Sequence, residues 1–169
     1  VAFLTSGAKV IGTGTHAASS GSFDEYFQAD FTDVDQISTC ADYVRRTKPD
    51  VLINNAGLGH NQSLLTGKSE AWREMLEVNV LALCITTREA VKDMRERGDK
   101  GHVLHIGSMA GHRVPAIGAV YSATKFAVRA LCEGLRQELR SLESNIRVGL
   151  ISPGMVETEF FEKYHQSAE

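Results

Sequence analysis

The sequence lacks a long hydrophobic run and a strong excess of charge of either sign. Its longest apolar stretch, residues 78–85, is interrupted by Asn79 and is far too short to cross a bilayer, so we expect no membrane span. The formal net charge is −3, which gives no electrostatic reason to expect nucleic acid as a partner. With a hydrophobic fraction of 43%, the composition is that of an ordinary globular domain.

Cysteine is also scarce, and the few that occur form no pattern. Their number is odd and they fall in separate predicted helices, at Cys40, Cys84 and Cys132. This arrangement indicates reduced thiols, and we predict a cytoplasmic protein. His102 and His105 share a predicted strand, but an offset of three places them on opposite faces. We therefore predict no metal site.

Short apolar runs alternate regularly with helical periods, and no repeat or linker interrupts them, so residues 1–169 are predicted to form a single, incomplete Rossmann-type domain. Predicted strands cover residues 9–12, 26–29, 51–53, 103–106 and 148–151. Predicted helices cover residues 33–47 with Asp33 as N-cap, 69–97 with Ser69 as cap, and 119–142. This order predicts an α/β fold with a parallel sheet, in which strand 51–53 is buried.

Polar segments follow the last three predicted strands. Asn54 and Asn55 come after one strand, Ser108 after the next, and Pro153 with Gly154 after the last. The carboxyl ends of parallel strands meet at one edge of a sheet, and ligands bind outside that edge in open α/β folds. We therefore predict a ligand site there.

Tyr121 and Lys125 stand four residues apart at the start of a predicted helix, on the same face. A phenol with an ordinary pKa of about 10 is a poor acid or base at neutral pH, and a nearby ammonium lowers that pKa. Lys125 also lies in an apolar stripe with Val128 and Cys132. Either the aliphatic part of the Lys125 side chain covers apolar surface, or its ammonium group is held against Tyr121 and a ligand. The polar segments at the strand ends favour the second interpretation.

The other candidate residues each have a structural alternative. Asn79 lies in an apolar helix stripe and is either an amide bonded to neighbouring backbone or part of a site. Ser108 either caps a turn or binds a substrate. Residues 54–57 form either a strand-to-loop turn or a place where a ligand presses on the backbone. Asp30, taken alone, is only the polar residue that ends a strand.

Together these residues resemble the short-chain dehydrogenase/reductase family. The matching segments, in order, are Asn54-Asn55-Ala56-Gly57, Asn79, Ser108, Tyr121, Lys125 and Pro153-Gly154. Residues 101–160 are most similar to the carbonyl/steroid reductase and farnesol dehydrogenase branch. The resemblance implies a Rossmann-like parallel sheet with flanking helices. It also implies an NAD(P)-dependent oxidoreductase that interconverts an apolar carbonyl and an alcohol by hydride transfer.

The resemblance implies a role for each residue. Tyr121 would exchange a proton with the substrate oxygen and also contact the cofactor, and Lys125 would lower the pKa of Tyr121 and hold the nicotinamide ribose. Ser108 would bind the substrate carbonyl, and Asn79 would hold a water that passes protons from Lys125. Further residues would contact the adenosine or the nicotinamide amide of the cofactor, namely Asp30, Asn54, Ala56, Gly57, Pro153, Gly154, Val156 and Thr158.

The choice between NADP and NAD depends on the segment after the first predicted strand. Residues 12–16 contain no acidic side chain that would bind the ribose hydroxyls of NAD and repel a 2′-phosphate. The segment is similar to that of NADP-dependent 3-oxoacyl-carrier-protein reductases, where the residue matching Thr15 meets the phosphate. NADP is therefore favoured and NAD is the alternative. No arginine follows, and the next strand begins too soon for the usual crossover helix.

The family's first strand and glycine-rich phosphate turn have no match before residue 9, and its last strand has none after Gly154. The chain is therefore expected to be truncated at both ends. It should have a gap between strands 9–12 and 51–53, and should be inactive by itself. The alternative to an enzyme is a non-catalytic dinucleotide-fold interaction module, or an inactive fragment of the enzyme.

The substrate and the oligomeric state are predicted only broadly. Apolar residues would line the mouth of the site and favour a ketosteroid, an aldehyde or a prenyl alcohol, namely Met109, Val114, Met155 and Val156. In the family, the helices matching 69–97 and 119–142 form the contact of a homodimer or homotetramer. Small residues lie on a second face of the latter helix, at Ala123, Ala127, Ala130 and Gly134.

Overall fold

A computed structural model describes residues 2–17, 23–156, 158, 160 and 164. The strands are β1 (Ile11–Gly14), β2 (Glu25–Gln28), β3 (Val51–Asn54), β4 (His102–Ile106) and β5 (Arg147–Ile151). The α-helices are α1 (Ala2–Thr5), α2 (Val34–Thr47), α3 (Ser69–Leu76), α4 (Ala82–Glu96) and α5 (Ala119–Ser141). Every helix and strand that the sequence predicts is present, with ends displaced by at most two residues. Among the described residues, no helix is both long and apolar enough to span a membrane.

The strands form two parallel sheets, which confirms the predicted fold class. One sheet pairs β1 with β2, and the other has the order β3-β4-β5. Because α5 connects two adjacent parallel strands, β4 and β5, it crosses one face of the second sheet. Within the described ranges, β1 and β3 belong to different sheets, at the position where the sequence predicts a gap.

The core lies between the second sheet and helices α4 and α5. It is built from Ala90 and Met94 of α4, Val103 of β4, Leu139 of α5 and Ile146 before β5. Residues of one strand point alternately to opposite faces, so these helices cover only every second side chain.

The prediction that strand 51–53 is buried is therefore wrong in part. Val51 and Ile53 are 45% and 38% exposed, whereas Leu52 between them packs against the core. The two exposed residues alternate with Leu52, so they lie on the other face of β3. All three residues of the run are apolar, but only Leu52 lies on the face that the helices cover.

The single long helix predicted over residues 69–97 is instead two α-helices joined by a π-helical turn, Glu77–Leu81. Ser69 is the first helical residue rather than the cap, and Lys68 before it makes no side-chain cap bond. A π-turn widens the helix by one residue and is often found at functional sites. Asn79 is its central residue.

Helix α2 begins as its sequence predicts. The carboxylate of Asp33 accepts hydrogen bonds from the backbone N–H groups of Asp35 and Gln36, at 2.9 and 3.4 Å. The Gln36 side chain donates back to Asp33 at 3.0 Å, and its oxygen accepts from the backbone N–H of Asp30 at 2.9 Å. This capping network fixes the chain where it leaves β2.

Candidate active site

Ser108 lies just beyond β4 and caps the start of a short 3₁₀ turn, Met109–Gly111. Its hydroxyl accepts a hydrogen bond from the backbone N–H of Ala110 at 3.1 Å, so the capping role that the sequence left open is present. The backbone N–H of Gly107 donates a hydrogen bond to Ile151 O (2.7 Å), and that of Met109 donates to Pro153 O (2.9 Å). These bonds join this segment to the end of β5. The ends of two neighbouring strands are thus held together.

Tyr121, in the first turn of α5, is only 9% exposed. Burial raises the pKa of its phenol, the nearby Ser108 hydroxyl lowers this pKa, and the neighbouring Tyr164 raises it. The two hydroxyl groups that sequence analysis assigned to one substrate oxygen therefore lie within reach of each other.

Lys125 is 6% exposed, and its Nζ atom donates a hydrogen bond of 3.1 Å to the carbonyl oxygen of Ile106, the last residue of β4. Nζ also lies 5.8 Å from the centre of the Tyr121 ring. Burial lowers the pKa of Lys125 to about 8, because a charged ammonium is disfavoured away from water. The lysine stands at the strand end rather than over apolar surface.

The lowered pKa that the resemblance implies for Tyr121 is not what this structure shows. Burial is the largest effect on the phenol and it raises the pKa. The same burial lowers the pKa of Lys125, the group expected to stabilise the phenolate, so its ammonium loses its proton at a lower pH than an exposed lysine does. Both shifts have one physical cause, the exclusion of water from the first turns of α5.

Asn79 joins the π-turn to the loop after β3 and to α5. Its side-chain oxygen accepts from the backbone N–H of Leu58 at 2.9 Å, and its nitrogen donates to Leu58 O at 2.8 Å and to Thr124 Oγ1 at 3.0 Å. A Cβ atom on Gly57 would lie 3.3 Å from Asn79 Oδ1 and 3.5 Å from Lys125 Nζ. The structural interpretation of Asn79 is therefore present, and the asparagine lies beside the lysine.

Asn54 faces the protein interior rather than the solvent edge. Its amide nitrogen donates to Thr87 Oγ1 at 2.8 Å, and its oxygen accepts from Thr86 Oγ1 at 3.0 Å. The amide also lies 3.1 Å from Nδ1 of the buried His105, whose pKa is lowered to about 4 by burial. Sequence analysis missed the two threonines, although paired polar residues inside an apolar helix stripe were a signal for them.

The remaining predicted cofactor residues lie at or near strand ends and are mostly exposed. Ala56, Gly57, Gly154, Val156 and Thr158 are exposed, and Pro153 is half-buried. On the other sheet, Thr15 follows β1 and is exposed, and its carbonyl oxygen accepts from the Gln28 side chain at 3.0 Å. Asp30 follows β2, where its carboxylate accepts from the N–H and hydroxyl of Thr32, at 2.9 and 2.8 Å.

Two aromatic residues beside Tyr121 were missed by sequence analysis. The ring centres of Phe160 and Tyr164 each lie 5.6 Å from that of Tyr121. Phe160 and Tyr164 stand four residues apart, but nothing in the sequence showed that both would lie against Tyr121.

A groove of about 800 Å³ lies between α4 and α5, away from Tyr121. Its walls include Cys84, Val91, Leu131, Gly134 and Leu135. His105 also lines it, and the Nε2 atom of this histidine has no hydrogen-bond partner among the described residues.

Comparison with known proteins gives the family. The family model for short chain dehydrogenases matches residues 3–169, and the chain belongs to that family of oxidoreductases. It is 59% identical over 119 residues to dehydrogenase/reductase SDR family member 11 of Bos taurus, covering 69% of this chain and 47% of the relative. It is 42% identical over 113 residues to farnesol dehydrogenase of Aedes aegypti, covering 65% and 46%. The chain thus spans about half the length of these relatives.

Solved structures of dehydrogenases share the fold. A serine dehydrogenase in its closed form, complexed with NADP+, has a TM-score of 0.86 and 31% identity, covering 98% of this chain and 70% of that one. A 4-hydroxyisoleucine dehydrogenase complexed with NADH has a TM-score of 0.84 and 28% identity, covering 94% and 69%. Both nicotinamide cofactors therefore occur among similar structures.

Proposed function

We propose that the full-length protein is an NADP-preferring oxidoreductase that interconverts an apolar carbonyl compound and its alcohol. The observation that supports this most directly is the convergence of Ser108, Tyr121 and Lys125 at the carboxyl end of β4. A hydroxyl pair with a buried ammonium beside it has the chemistry needed to bind a carbonyl oxygen and protonate it.

In the proposed reaction, the Ser108 hydroxyl orients the substrate carbonyl and Tyr121 gives its phenolic proton to the oxygen as the alcohol forms. The nicotinamide cofactor supplies the hydride when it is bound. Lys125 keeps a positive charge near the phenol when it is protonated, and this charge stabilises the phenolate left behind. Asn79 holds the loop at Leu58 and Gly57 against this lysine.

The residues present fit a dinucleotide. Lys125 carries three N–H donors and its bond to Ile106 uses one of them, so donors remain for ribose hydroxyls. Gly57 is exposed beside Nζ, where backbone without a side chain allows a ligand to approach closely. Thr15 would meet the adenosine 2′-phosphate, and Asp30 the adenine. Ala56, Pro153, Gly154, Val156 and Thr158 would border the rest of the cofactor.

The substrate is proposed to be apolar because the residues around the predicted mouth are apolar and exposed. Met109, Val114, Met155 and Val156 are 41%, 58%, 89% and 55% exposed. An apolar surface at the mouth of the site would favour an apolar substrate.

We also propose that the protein is a homodimer or homotetramer in the cytoplasm. The groove between α4 and α5 is lined by apolar side chains such as Leu131 and Leu135 together with charged ones such as Arg88 and Glu138. Three of the small residues on α5, Ala123, Ala130 and Gly134, are exposed, so a second helix pair could approach closely. The three cysteines are free thiols, which agrees with a reducing compartment.

Substitution of Tyr121 by Phe in the full-length protein tests the catalytic proposal. It keeps the ring and its packing but removes the acidic proton, so NADPH-dependent carbonyl reduction should fall roughly 10²–10⁴-fold with cofactor affinity unchanged. Tyr43→Phe is the matched control, because the Tyr43 hydroxyl donates to Glu25 on the exposed side of α2. Unchanged turnover in Tyr121→Phe would overturn the mechanism and favour the non-catalytic interaction module.

A further inference from the structure

Three aromatic rings meet at one point next to the proposed proton donor. The rings of Phe160 and Tyr164 stack at 17° with centres 6.0 Å apart, and both are tilted toward Tyr121, at 41° and 58°. A Cβ atom placed on Gly59 would lie 2.8, 2.9 and 3.0 Å from atoms of Tyr164, Phe160 and Tyr121. The three rings therefore pack against the backbone of Gly59, where there is no room for a side chain.

The two neighbouring rings limit how a substrate can approach the Tyr121 hydroxyl. Tyr121 is 9% exposed, and these two rings and the Gly59 backbone are among the groups that lie against its ring. Gly118, at a left-handed φ of 98°, has no side chain where the Tyr164 hydroxyl approaches it. A molecule whose oxygen approaches Tyr121 from this side would place its body against, or in place of, a Phe160 or Tyr164 ring.

Aromatic faces discriminate among apolar molecules. Flat rings stack on them or meet them edge to face, and such pairs gain attraction beyond the burial of apolar area. A flexible alkyl chain buries area but lacks this extra attraction. The wall beside Tyr121 should thus distinguish ring-bearing from open-chain carbonyl compounds of similar size.

We propose that Phe160 and Tyr164 are specificity-determining residues that favour carbonyl compounds with a flat ring beside the carbonyl group. The inference rests on the proposed oxidoreductase function, and it specifies the substrate class of the same site.

The experiment compares kcat/KM of the full-length enzyme for an aryl methyl ketone and an open-chain methyl ketone with equal numbers of carbon atoms. Wild type should prefer the aryl ketone. Phe160→Leu and Tyr164→Leu should each lower the aryl-to-alkyl ratio roughly 2- to 10-fold, the range expected for one aromatic contact. Phe160→Tyr, which keeps the ring, should retain the ratio. Phe126→Leu is a control at an exposed ring on α5 that forms no aromatic pair within the described parts of the chain.

The outcomes separate this inference from the proposed function. Equal losses for both ketones in the two leucine variants would show that the rings serve folding only, and would overturn the inference. A wild-type ratio at or below one would also overturn it, even if both ketones are reduced and the oxidoreductase proposal stands. Failure of the oxidoreductase proposal itself would appear instead as turnover that Tyr121→Phe does not change.

Discussion

The side-chain amide of Asn79 donates a hydrogen bond of 3.0 Å to Oγ1 of Thr124, the residue directly before Lys125. Thr124 in turn donates to the carbonyl oxygen of Tyr121 at 2.7 Å. The π-turn is thus bonded to the helical turn that carries both proposed catalytic side chains. Because Asn79 also binds both backbone groups of Leu58, one amide links the loop after β3 to the start of α5.

Asn79→Ala should destabilise the protein and lower turnover together. The substitution leaves the N–H and C=O of Leu58 without their partners, which costs about 1–3 kcal/mol for each buried unsatisfied group. Urea unfolding of the full-length protein measures the loss, with Asn55→Ala at a neighbouring exposed position as the control. A variant that is as stable as wild type would show that the amide is not needed to hold the loop.

Lys125→Met should stabilise the fold at neutral pH while abolishing the proposed chemistry. The pKa of Lys125 is lowered from 10.5 to about 8 in the folded protein, so keeping the ammonium charged inside costs stability. This shift corresponds to roughly 2–4 kcal/mol at pH 7, where both states are protonated. Methionine has a similar shape without the charge.

The sign of the pH dependence follows from the same shift. Between pH 8 and 10.5 the unfolded chain binds more protons at Lys125 than the folded protein does, so wild-type stability rises with pH in this window. The advantage of Lys125→Met should therefore be full below pH 8 and vanish above pH 10.5. Thermal unfolding across this range measures it. A constant difference between the two proteins would show that Lys125 titrates normally.

The fold could be predicted from the sequence because its signals are periodic and local. The four-residue spacing of Tyr121 and Lys125 placed them on one helix face, and the Asp33 cap begins α2 where predicted. The π-turn could not be predicted, since one extra residue in a turn leaves the apolar pattern of residues 69–97 almost unchanged. The exposure of Val51 depends on which sheet face the helices cover, and that is decided by residues far away in the chain.

Thr15→Glu should reverse the proposed cofactor preference. The exposed side chain follows β1, and a carboxylate there would repel a 2′-phosphate and could bind ribose hydroxyls instead. The ratio of kcat/KM for NADPH to that for NADH in the full-length protein should fall at least about 5-fold, since a nearby like charge costs about 1 kcal/mol or more. Thr66→Glu, at an exposed position in another loop, is the charge-matched control. An unchanged ratio would place the 2′-position elsewhere.

Gly134→Arg should convert the proposed oligomer into a monomer without harming the protomer. Gly134 lines the groove between α4 and α5, and a Cβ atom added there meets nothing within 4 Å, so the folded chain can accommodate the new side chain. Removing a glycine from the helix interior also favours the helix. A long charged residue would, however, have to be buried against a partner helix, and an unpaired buried charge is strongly unfavourable. Light scattering of the full-length protein should therefore show a smaller mass, whereas Leu65→Arg, at a side chain 93% exposed outside the groove, should not change it. An oligomer that persists in Gly134→Arg with its mass unaltered would exclude this groove as the contact.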